Sequence, residues 1–253
     1  MPFAITVVPV MPLRAEPAHK SEMISQALFG ECVETEEVNA DGWVKVKLQF
    51  DGYEGWATAS HLETITLEQF EAPATHMATQ WASRLTVNGQ PMYIPYGCLL
   101  KMGAGPWGNV KVTGETGIEP FAAPHSPRTA WRAIAHTFLN TPYLWGGKSV
   151  FGIDCSGFTQ SVYKILGIPL LRDAYQQATQ GETVSLLQEA APGDLAFFDN
   201  EAGRITHVGL MLSDHEIIHA AGKVRIDPID HLGIMNADTG QRTHKLRIIK
   251  RML

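Results

Sequence analysis

The chain has 253 residues, of which 45% are hydrophobic and 18% charged, and its formal net charge is −6. This composition is that of an ordinary soluble globular protein with room for two or three small domains. The negative charge, without a dense run of Lys and Arg, argues against a nucleic-acid-binding surface. Three cysteines at wide spacing do not make a disulfide framework.

The N-terminal sequence M-P-F-A-I-T-V-V-P-V-M-P lacks the basic region and the unbroken apolar core of a secretory signal peptide. No stretch of the sequence is long and apolar enough to cross a bilayer. The chain as written is therefore expected to be cytoplasmic and to have no membrane partner.

Residues 1–66 have the pattern of short β-strands. Apolar and polar residues alternate over 43–48, an Asp-Gly turn follows at 51–52, and the next strand carries G-W-A at 55–57. This pattern is similar to that of bacterial SH3 (SH3b) domains. The resemblance predicts an SH3b-like β-barrel over residues 1–66.

A related pattern recurs farther along the chain. L-F-G-E-C-V at 28–33 and G-W-V-K-V at 42–46 are paralleled by P-Y-G-C-L-L at 95–100 and G-N-V-K-V at 108–112. The repeat predicts a second, divergent SH3b-like region over residues 67–122, with a partly helical stretch at its start.

Residues 123–253 are predicted to form an α+β domain. Ser126 is expected to cap a first helix that begins at Pro127. The strands of an antiparallel sheet, against which helices pack, are expected at about 195–198, 207–212, 216–220 and 245–250.

Cys155 lies in the sequence D-C-S-G-F, behind a run rich in glycine and aromatic residues. Apolar residues at helical spacing follow it, so Cys155 is expected at the N-terminus of a helix. The helix N-terminus stabilises a thiolate, and the sequence therefore predicts a nucleophile with a lowered pKa. Cys32 and Cys98 lie in apparent strands and are expected in the core.

Two strand-like segments supply histidines that can serve this nucleophile. His207 lies in T-H-V-G-L-M-L and His219 in E-I-I-H-A-A, with a turn at 213–214 between them. Neighbouring strands bring the two histidines together, so that His207 takes the proton from Cys155 and His219 orients the His207 ring. The remaining histidines are expected to be surface or structural residues: His19, His61, His76, His125, His136, His215, His231 and His244.

Five motifs in this order and spacing resemble the NlpC/P60 family of cysteine peptidases: P-Y-L-W-G-G, D-C-S-G-F, P-G-D-L-A-F-F, T-H-V-G-L and I-I-H-A. The resemblance covers roughly the C-terminal half of the chain. It implies a papain-like catalytic domain in which Cys155, His207 and His219 are catalytic, with no cofactor and no metal.

The resemblance also implies a role for Tyr143. Its hydroxyl would join the Cys155 backbone N–H as a donor to the oxyanion. The alternative is that Tyr143 only packs beside Trp145.

Substrate-binding roles follow from the same resemblance. Asp154 and Ser156 would help to hold the free amine of an L-Ala-γ-D-Glu substrate, although Asp154 alone is also a good helix cap. Arg172 and Asp173 resemble a segment that lines this pocket, and the alternative for them is a surface ion pair.

One motif match is expected to be coincidental. The segment from His215 to His219 fits H-E-x-x-H, a zinc-protease pattern that requires a helix. The segment follows a turn and is rich in β-branched residues. On a strand, residues four apart are separated by about 13 Å, which is too far for one zinc ion.

The expected function is hydrolysis of the γ-D-glutamyl bond to diaminopimelate or lysine in muropeptides with a free N-terminal L-Ala, in peptidoglycan recycling. The expected partner is this muropeptide substrate, without nucleic acid. Three alternatives remain open: an exported peptidoglycan-remodelling hydrolase whose SH3b domains bind the wall, a non-catalytic wall-binding protein, and an amidase or acyltransferase on the same scaffold.

Overall fold

The computed structural model of the chain describes residues 2–103, 105–123 and 127–253. They form two compact units: residues 1–122 with 148–151, and residues 123–147 with 152–253. No helix among the described residues has the length and apolarity that crossing a membrane requires.

The first unit consists mainly of short strands. They are β1 (Phe3–Thr6), β2 (Val10–Arg14), β3 (Met23–Leu28), β4 (Cys32–Thr35), β5 (Trp43–Leu48), β6 (Glu54–Thr58), β7 (Leu62–Ile65), β8 (His76–Ala78), β9 (Ala82–Val87), β10 (Gln90–Pro95), β11 (Leu99–Leu100), β12 (Val112–Thr116), β13 (Ile118–Pro120) and β14 (Lys148–Ser149). A short helix, α1 (Leu67–Glu71), lies between β7 and β8.

The first sheet has the antiparallel strand order β3-β2-β6-β5-β4-β1-β7. Alternation over 43–48 predicts β5 correctly, since Val44, Val46 and Leu48 are buried while Lys47 is exposed. The turn to β6 contains Gly52, whose φ of +69° is the left-handed conformation that glycine adopts without strain.

Strands from 67–122 form two further sheets, with the orders β10-β9-β12 and β11-β8-β13. The helical stretch expected at the start of this region is confined to α1, because β8 and β9 follow soon after it. One hydrophobic cluster contains Phe29 from the first part and Trp107 from the second, with ring centroids 5.3 Å apart. The two N-terminal regions thus share a core, and the boundary at residue 66 stays a prediction.

The second unit contains three helices in its described residues: α2 (Pro127–Thr137), α3 (Cys155–Ile165) and α4 (Ala174–Gln177). Its strands are β15 (Gly152–Ile153), β16 (Glu182–Val184), β17 (Leu195–Asp199), β18 (Ile205–Met211), β19 (Glu216–Ala221), β20 (Lys223–Asp230), β21 (Gly233–Met235) and β22 (Arg242–Arg251). The Ser126 cap expected for α2 lies outside the described residues.

The sheet of the second unit has the order β16-β22-β17-β18-β19-β20-β21, and β21 also pairs with β22. The strands from β17 to β22 therefore close into a ring. Gly233 makes this closure possible, because a Cβ at this position, where φ is +133°, would lie 1.8 Å from the His244 carbonyl oxygen. The expectation of an α+β domain is confirmed only in coarse form. The strands close into a ring, and the described residues contain many more strands than helices, so the expected picture of helices on an open sheet is not confirmed.

Helix α3 positions the candidate nucleophile. Every residue of α3 is buried, and the helix contacts β18, β19 and α2. The rings of Phe138 and Phe158 meet edge to face, with centroids 5.8 Å apart. This packing holds Cys155, the first residue of α3, against β18.

Candidate active site

Cys155 begins helix α3, as the sequence predicts. The Asp154 side chain caps the helix by accepting a hydrogen bond of 2.6 Å from the Gly157 N–H. The backbone N–H groups of Val208 and Ser156 lie near the thiol and act to lower its pKa. Since Val208 follows His207 in β18, the sulfur lies beside the strand that carries the candidate base.

The glycines around Cys155 allow backbone segments to approach closely. A Cβ on Gly157 would lie 2.2 Å from the Gly147 carbonyl oxygen, and a Cβ on Gly147 would lie 2.4 Å from the Gly152 carbonyl oxygen. Any other residue at these positions would displace the backbone that surrounds the nucleophile.

The structure brings His207 and His219 together. Nε2 of His207 lies 2.8 Å from Nδ1 of His219, and both rings are buried. His219 pairs in register with Gly209, where a Cβ would lie 2.8 Å from the His219 Cβ, so the glycine leaves room for the ring. Because His219 occupies Nε2 of His207, Nδ1 is the His207 nitrogen left for the thiol.

Asp227 is a site residue that the sequence analysis missed. It lies on β20, and its Oδ2 is 2.9 Å from Nε2 of His219. Both side chains are 1% exposed. The carboxylate thus extends the pair of histidines into a line of three groups.

His244 is a second site residue that was not predicted from the sequence, and the structure corrects its expected role. The sequence around His244 predicts a surface or structural residue, but on β22 its ring stacks on that of His207, with centroids 4.1 Å apart and an interplanar angle of 27°. Closure of the strand ring between β21 and β22 brings His244 to this position.

Asp154 and Arg172 form a buried ion pair, with Nη2 2.6 Å from Oδ2. Arg172 also donates to Oδ1 of Asp154 at 3.1 Å and to Oγ of Ser156 at 2.9 Å. Arg172 is 1% exposed, so the surface ion pair considered as an alternative is wrong. Asp173 lies beside this cluster and forms a capping box with Gln176 at the start of α4.

Tyr143 borders a shallow cavity of about 280 Å³ that reaches His207. The cavity is lined by Tyr143, Thr206, His207, Ala220, Ala221, Gly222 and His244. Partial burial of Tyr143, followed by the proximity of Cys155 and Asp154, raises its pKa well above the usual range. The phenol therefore stays protonated and able to donate.

Burial sets the protonation states of the nucleophile and the base. It raises the pKa of the Cys155 thiol to about 12, with a further contribution from Asp154 that the Val208 and Ser156 N–H groups only partly offset. Burial, with His219 and His244 adding to it, lowers the pKa of His207 well below its usual range. Both groups are thus neutral in the free protein. The lowered thiol pKa expected from the helix start is wrong, because desolvation outweighs the helix N-terminus here.

His207, His219 and His244 could in principle hold a metal ion, since their ligand atoms lie within 4.8 Å of one another. Their geometry suits hydrogen bonding better. Nε2 of His207 and Nδ1 of His219 point at each other across 2.8 Å, and the stacked rings of His207 and His244 do not converge on one point. The H-E-x-x-H match fails as expected, because His219 lies on strand β19.

Comparisons with known proteins agree with these two units. Residues 140–243 match the NlpC/P60 family, and residues 13–62 match the bacterial dipeptidyl-peptidase Sh3 domain. Over 112 residues the chain is 38% identical to the gamma-D-glutamyl-L-lysine dipeptidyl-peptidase of Bacillus cereus. The aligned residues make up 42% of this chain and 33% of that protein. The alignment thus spans about a third of that relative.

Two other comparisons extend over nearly the whole chain. Dipeptidyl-peptidase 6 of Lysinibacillus sphaericus is 26% identical over 257 residues, which cover 90% of this chain and 92% of that protein. The crystal structure of an NlpC/P60 family protein from Bacillus cereus superposes with a TM-score of 0.78 at 22% identity, covering 98% of this chain and 99% of the other. At that identity the likeness shows the fold alone. Along the chain, residues 13–62 thus match a bacterial SH3 domain and residues 140–243 match an NlpC/P60 domain.

Proposed function

We propose that this chain is a cysteine endopeptidase that hydrolyses the γ-D-glutamyl bond to a diamino acid in muropeptides. The observation that carries the proposal is that Cys155 begins α3, which packs on β18, the strand whose His207 has its Nε2 held by His219. A nucleophile beside an oriented base is the arrangement of acyl-transfer enzymes. Similarity to a protein named for γ-D-glutamyl-L-lysine supports the substrate class.

In the first half-reaction, Cys155 and His207 start as a neutral thiol and imidazole. Nδ1 of His207 removes the thiol proton while Sγ attacks the γ-carbonyl carbon of the D-glutamyl residue. The tetrahedral intermediate collapses when the carbon–nitrogen bond breaks, and His207 gives the proton to the leaving amine. The products are a free diamino acid, or a peptide that begins with it, and a thioester on Cys155.

In the second half-reaction, water hydrolyses the thioester. His207 takes a proton from the water as its oxygen attacks the thioester carbon. The carbon–sulfur bond then breaks, the dipeptide leaves as a carboxylic acid, and the proton on His207 returns to the sulfur. His219 keeps the His207 ring in place throughout.

The oxyanion of each tetrahedral intermediate needs donors. The first N–H groups of a helix have no partner within the helix, which makes the Cys155 N–H a donor at the right end of α3. The raised pKa of Tyr143 keeps its hydroxyl protonated at the cavity beside His207, so it supplies the second donor.

We extend the proposal to substrates with a free N-terminal L-Ala. Asp154, Ser156 and Arg172 make a polar cluster next to the nucleophile, and Asp173 follows Arg172 in the chain and caps α4. Arg172 balances the charge of Asp154, and the carboxylate of Asp173, the next residue in the chain, is the group that we propose to favour an ammonium ion.

A requirement for a free amine implies that the substrates are released peptides, because the stem alanine is acylated in the intact wall. We therefore propose a role in peptidoglycan recycling, with the enzyme in the cytoplasm. Cell fractionation with an antibody against the chain tests the location, and recovery outside the cytoplasm would favour the wall-remodelling alternative.

The function is tested with L-Ala-γ-D-Glu-diaminopimelate, the matching lysine peptide, and N-acetylated versions of both. Mass spectrometry should detect L-Ala-D-Glu from the free peptides, and acetylation should lower kcat/KM strongly. Equal cleavage of free and acetylated peptides would reject the free-amine proposal while leaving the peptidase intact. No cleavage of any of the four peptides would reject the substrate class.

A further inference from the structure

Asp227 has no part in the bond changes described above, yet its carboxylate is built to remain ionised. Arg225 contacts both oxygens, with Nε 2.7 Å from Oδ2 and Nη2 2.8 Å from Oδ1, and the Ala237 N–H donates to Oδ1 at 2.8 Å. Burial opposes ionisation, but hydrogen bonds from His219, Arg225 and Ala237 outweigh it and hold the pKa of Asp227 well below its usual range.

An ionised carboxylate can only accept hydrogen bonds. The contact between Oδ2 of Asp227 and Nε2 of His219 therefore requires a proton on Nε2. In neutral His219 the other nitrogen, Nδ1, is then an acceptor. Across the 2.8 Å contact, Nε2 of His207 must donate to it. Neutral His207 is thereby left with a lone pair on Nδ1, the nitrogen that the proposed function assigns to the thiol.

We propose that Asp227 is a positioning residue that fixes the tautomers of both His219 and His207, and so makes Nδ1 of His207 the basic nitrogen. The inference rests on the proposed function only for its effect on rate. Without the carboxylate, the two histidines have a second arrangement, in which Nδ1 of His219 donates to Nε2 of His207. In that arrangement Nδ1 of His207 carries a proton and cannot accept one from Cys155.

The Asp227 carboxylate also stabilises the charged form of His207. When His207 accepts the thiol proton it becomes an imidazolium. Hydrogen bonds connect this cation through His219 to the buried carboxylate of Asp227. His244 stacks on the face of the His207 ring and brings no negative charge. Asp227 therefore supplies the negative charge at the end of the line of hydrogen bonds that begins at His207.

The substitution Asp227→Asn distinguishes this role from simple packing. The Ala237 N–H and Nη2 of Arg225 both donate to Oδ1, whereas Nε of Arg225, although 2.7 Å from Oδ2, makes no hydrogen bond to it, so the amide oxygen prefers the Oδ1 position. The amide NH₂ then occupies the Oδ2 position and donates to His219, which reverses both tautomers. Asp238→Asn is the matched control, since Asp238 also binds Arg225, at 2.8 Å, but is exposed and does not contact either histidine.

The direct test is nitrogen NMR of the full chain labelled with ¹⁵N-histidine, because an imidazole nitrogen that carries a proton resonates far from one that does not. The wild-type protein and Asp238→Asn should both show His207 protonated at Nε2 and bare at Nδ1. Asp227→Asn should show the reverse for both histidines. A wild-type His207 protonated at Nδ1, or the same tautomers in Asp227→Asn as in the wild type, would overturn the proposal.

Kinetics supply the second readout. In a serine-protease triad, an Asp-to-Asn change that produces the wrong tautomer lowers kcat by about 10⁴. Asp227 is one ring farther from the nucleophile, and we expect kcat of Asp227→Asn to fall by about a hundredfold or more at unchanged KM. An unchanged kcat in a variant with reversed tautomers would reject the catalytic importance of the tautomer. The NMR result in the wild-type protein needs neither substrate nor variant, so it stands or falls separately from the peptidase proposal.

Discussion

The ring of His244 stacks on the ring of His207, with centroids 4.1 Å apart. The stacked ring covers one face of the proposed base and keeps water from it. Burial is the main cause of the lowered His207 pKa, and His244 also contributes. After burial and His219, a residue more than thirty positions away in the sequence thus also lowers the pKa of the base.

His244→Ala should raise the pKa of His207 toward its ordinary value, because the substitution exposes the ring and removes a neighbouring titratable group. A base with a raised pKa becomes protonated at a higher pH, so the acid limb of kcat/KM should move toward neutral pH. The measurement is the pH dependence of kcat/KM for the wild type, His244→Ala and His231→Ala, an exposed histidine outside the site. An acid limb at the same pH in all three proteins would show that His244 does not set the basicity.

The Cys155 thiol should react slowly with iodoacetamide at neutral pH. Its pKa is raised to about 12 and that of His207 is lowered, so the thiolate fraction of the free protein is small and grows with pH. The alkylation rate should rise about tenfold per pH unit from about pH 6 to about pH 9. Peptide mass spectrometry locates the label, with Cys155→Ser as the control. A rate that is already on a plateau at mildly acidic pH would indicate a thiolate–imidazolium pair instead.

Arg172→Met should destabilise the fold, because it leaves the buried Asp154 carboxylate without its cation. Loss of one partner of a buried ion pair costs about 3 kcal/mol or more. Arg242→Met is the matched control, since Arg242 pairs with Asp230 near the surface, where such a pair is worth about 1 kcal/mol or less.

Urea unfolding followed by fluorescence measures both changes. The double variant Asp154→Asn with Arg172→Met should recover part of the lost stability, because it removes the unpaired charge. Equal stabilities of Arg172→Met and Arg242→Met would contradict the assignment of a buried, structurally important pair.

Tyr143→Phe should lower kcat without changing KM much, since the hydroxyl is assigned to the oxyanion and not to the ground-state substrate. Loss of one oxyanion donor typically costs about 10² to 10³ in kcat. Tyr175→Phe, at an exposed tyrosine of α4, is the control. If Tyr143→Phe retains the wild-type kcat, the tyrosine only packs at the cavity.

The sequence alone predicts the parts of the site that depend on local patterns. Helical spacing after Cys155 predicts the start of α3, and a short turn between two strand-like segments predicts the pairing of His207 with His219. Each of these signals lies within a few residues of the group that it positions.

Asp227 and His244 could not be predicted in the same way. Asp227 lies on β20, a strand whose pattern is interrupted by Pro228, a residue that argues against a strand in sequence. His244 reaches His207 only because Gly233 lets β21 approach β22 and close the ring. Both contacts depend on strand pairing over a long sequence separation.

The pKa of Cys155 was beyond local prediction for a related reason. A helix N-terminus can be read from the residues that follow it, and it favours a thiolate. Burial of the whole helix against β18 and β19 is a property of the assembled unit, and it outweighs the helix terminus here.

The thioester on Cys155 that the proposed mechanism requires can be trapped by acid-quenching the protein during turnover of L-Ala-γ-D-Glu-diaminopimelate and sequencing its peptides by mass spectrometry. We expect an L-Ala-γ-D-Glu acyl group on the peptide that contains Cys155, and neither adduct nor turnover in a folded Cys155→Ser variant. Wild-type turnover by Cys155→Ser would contradict it.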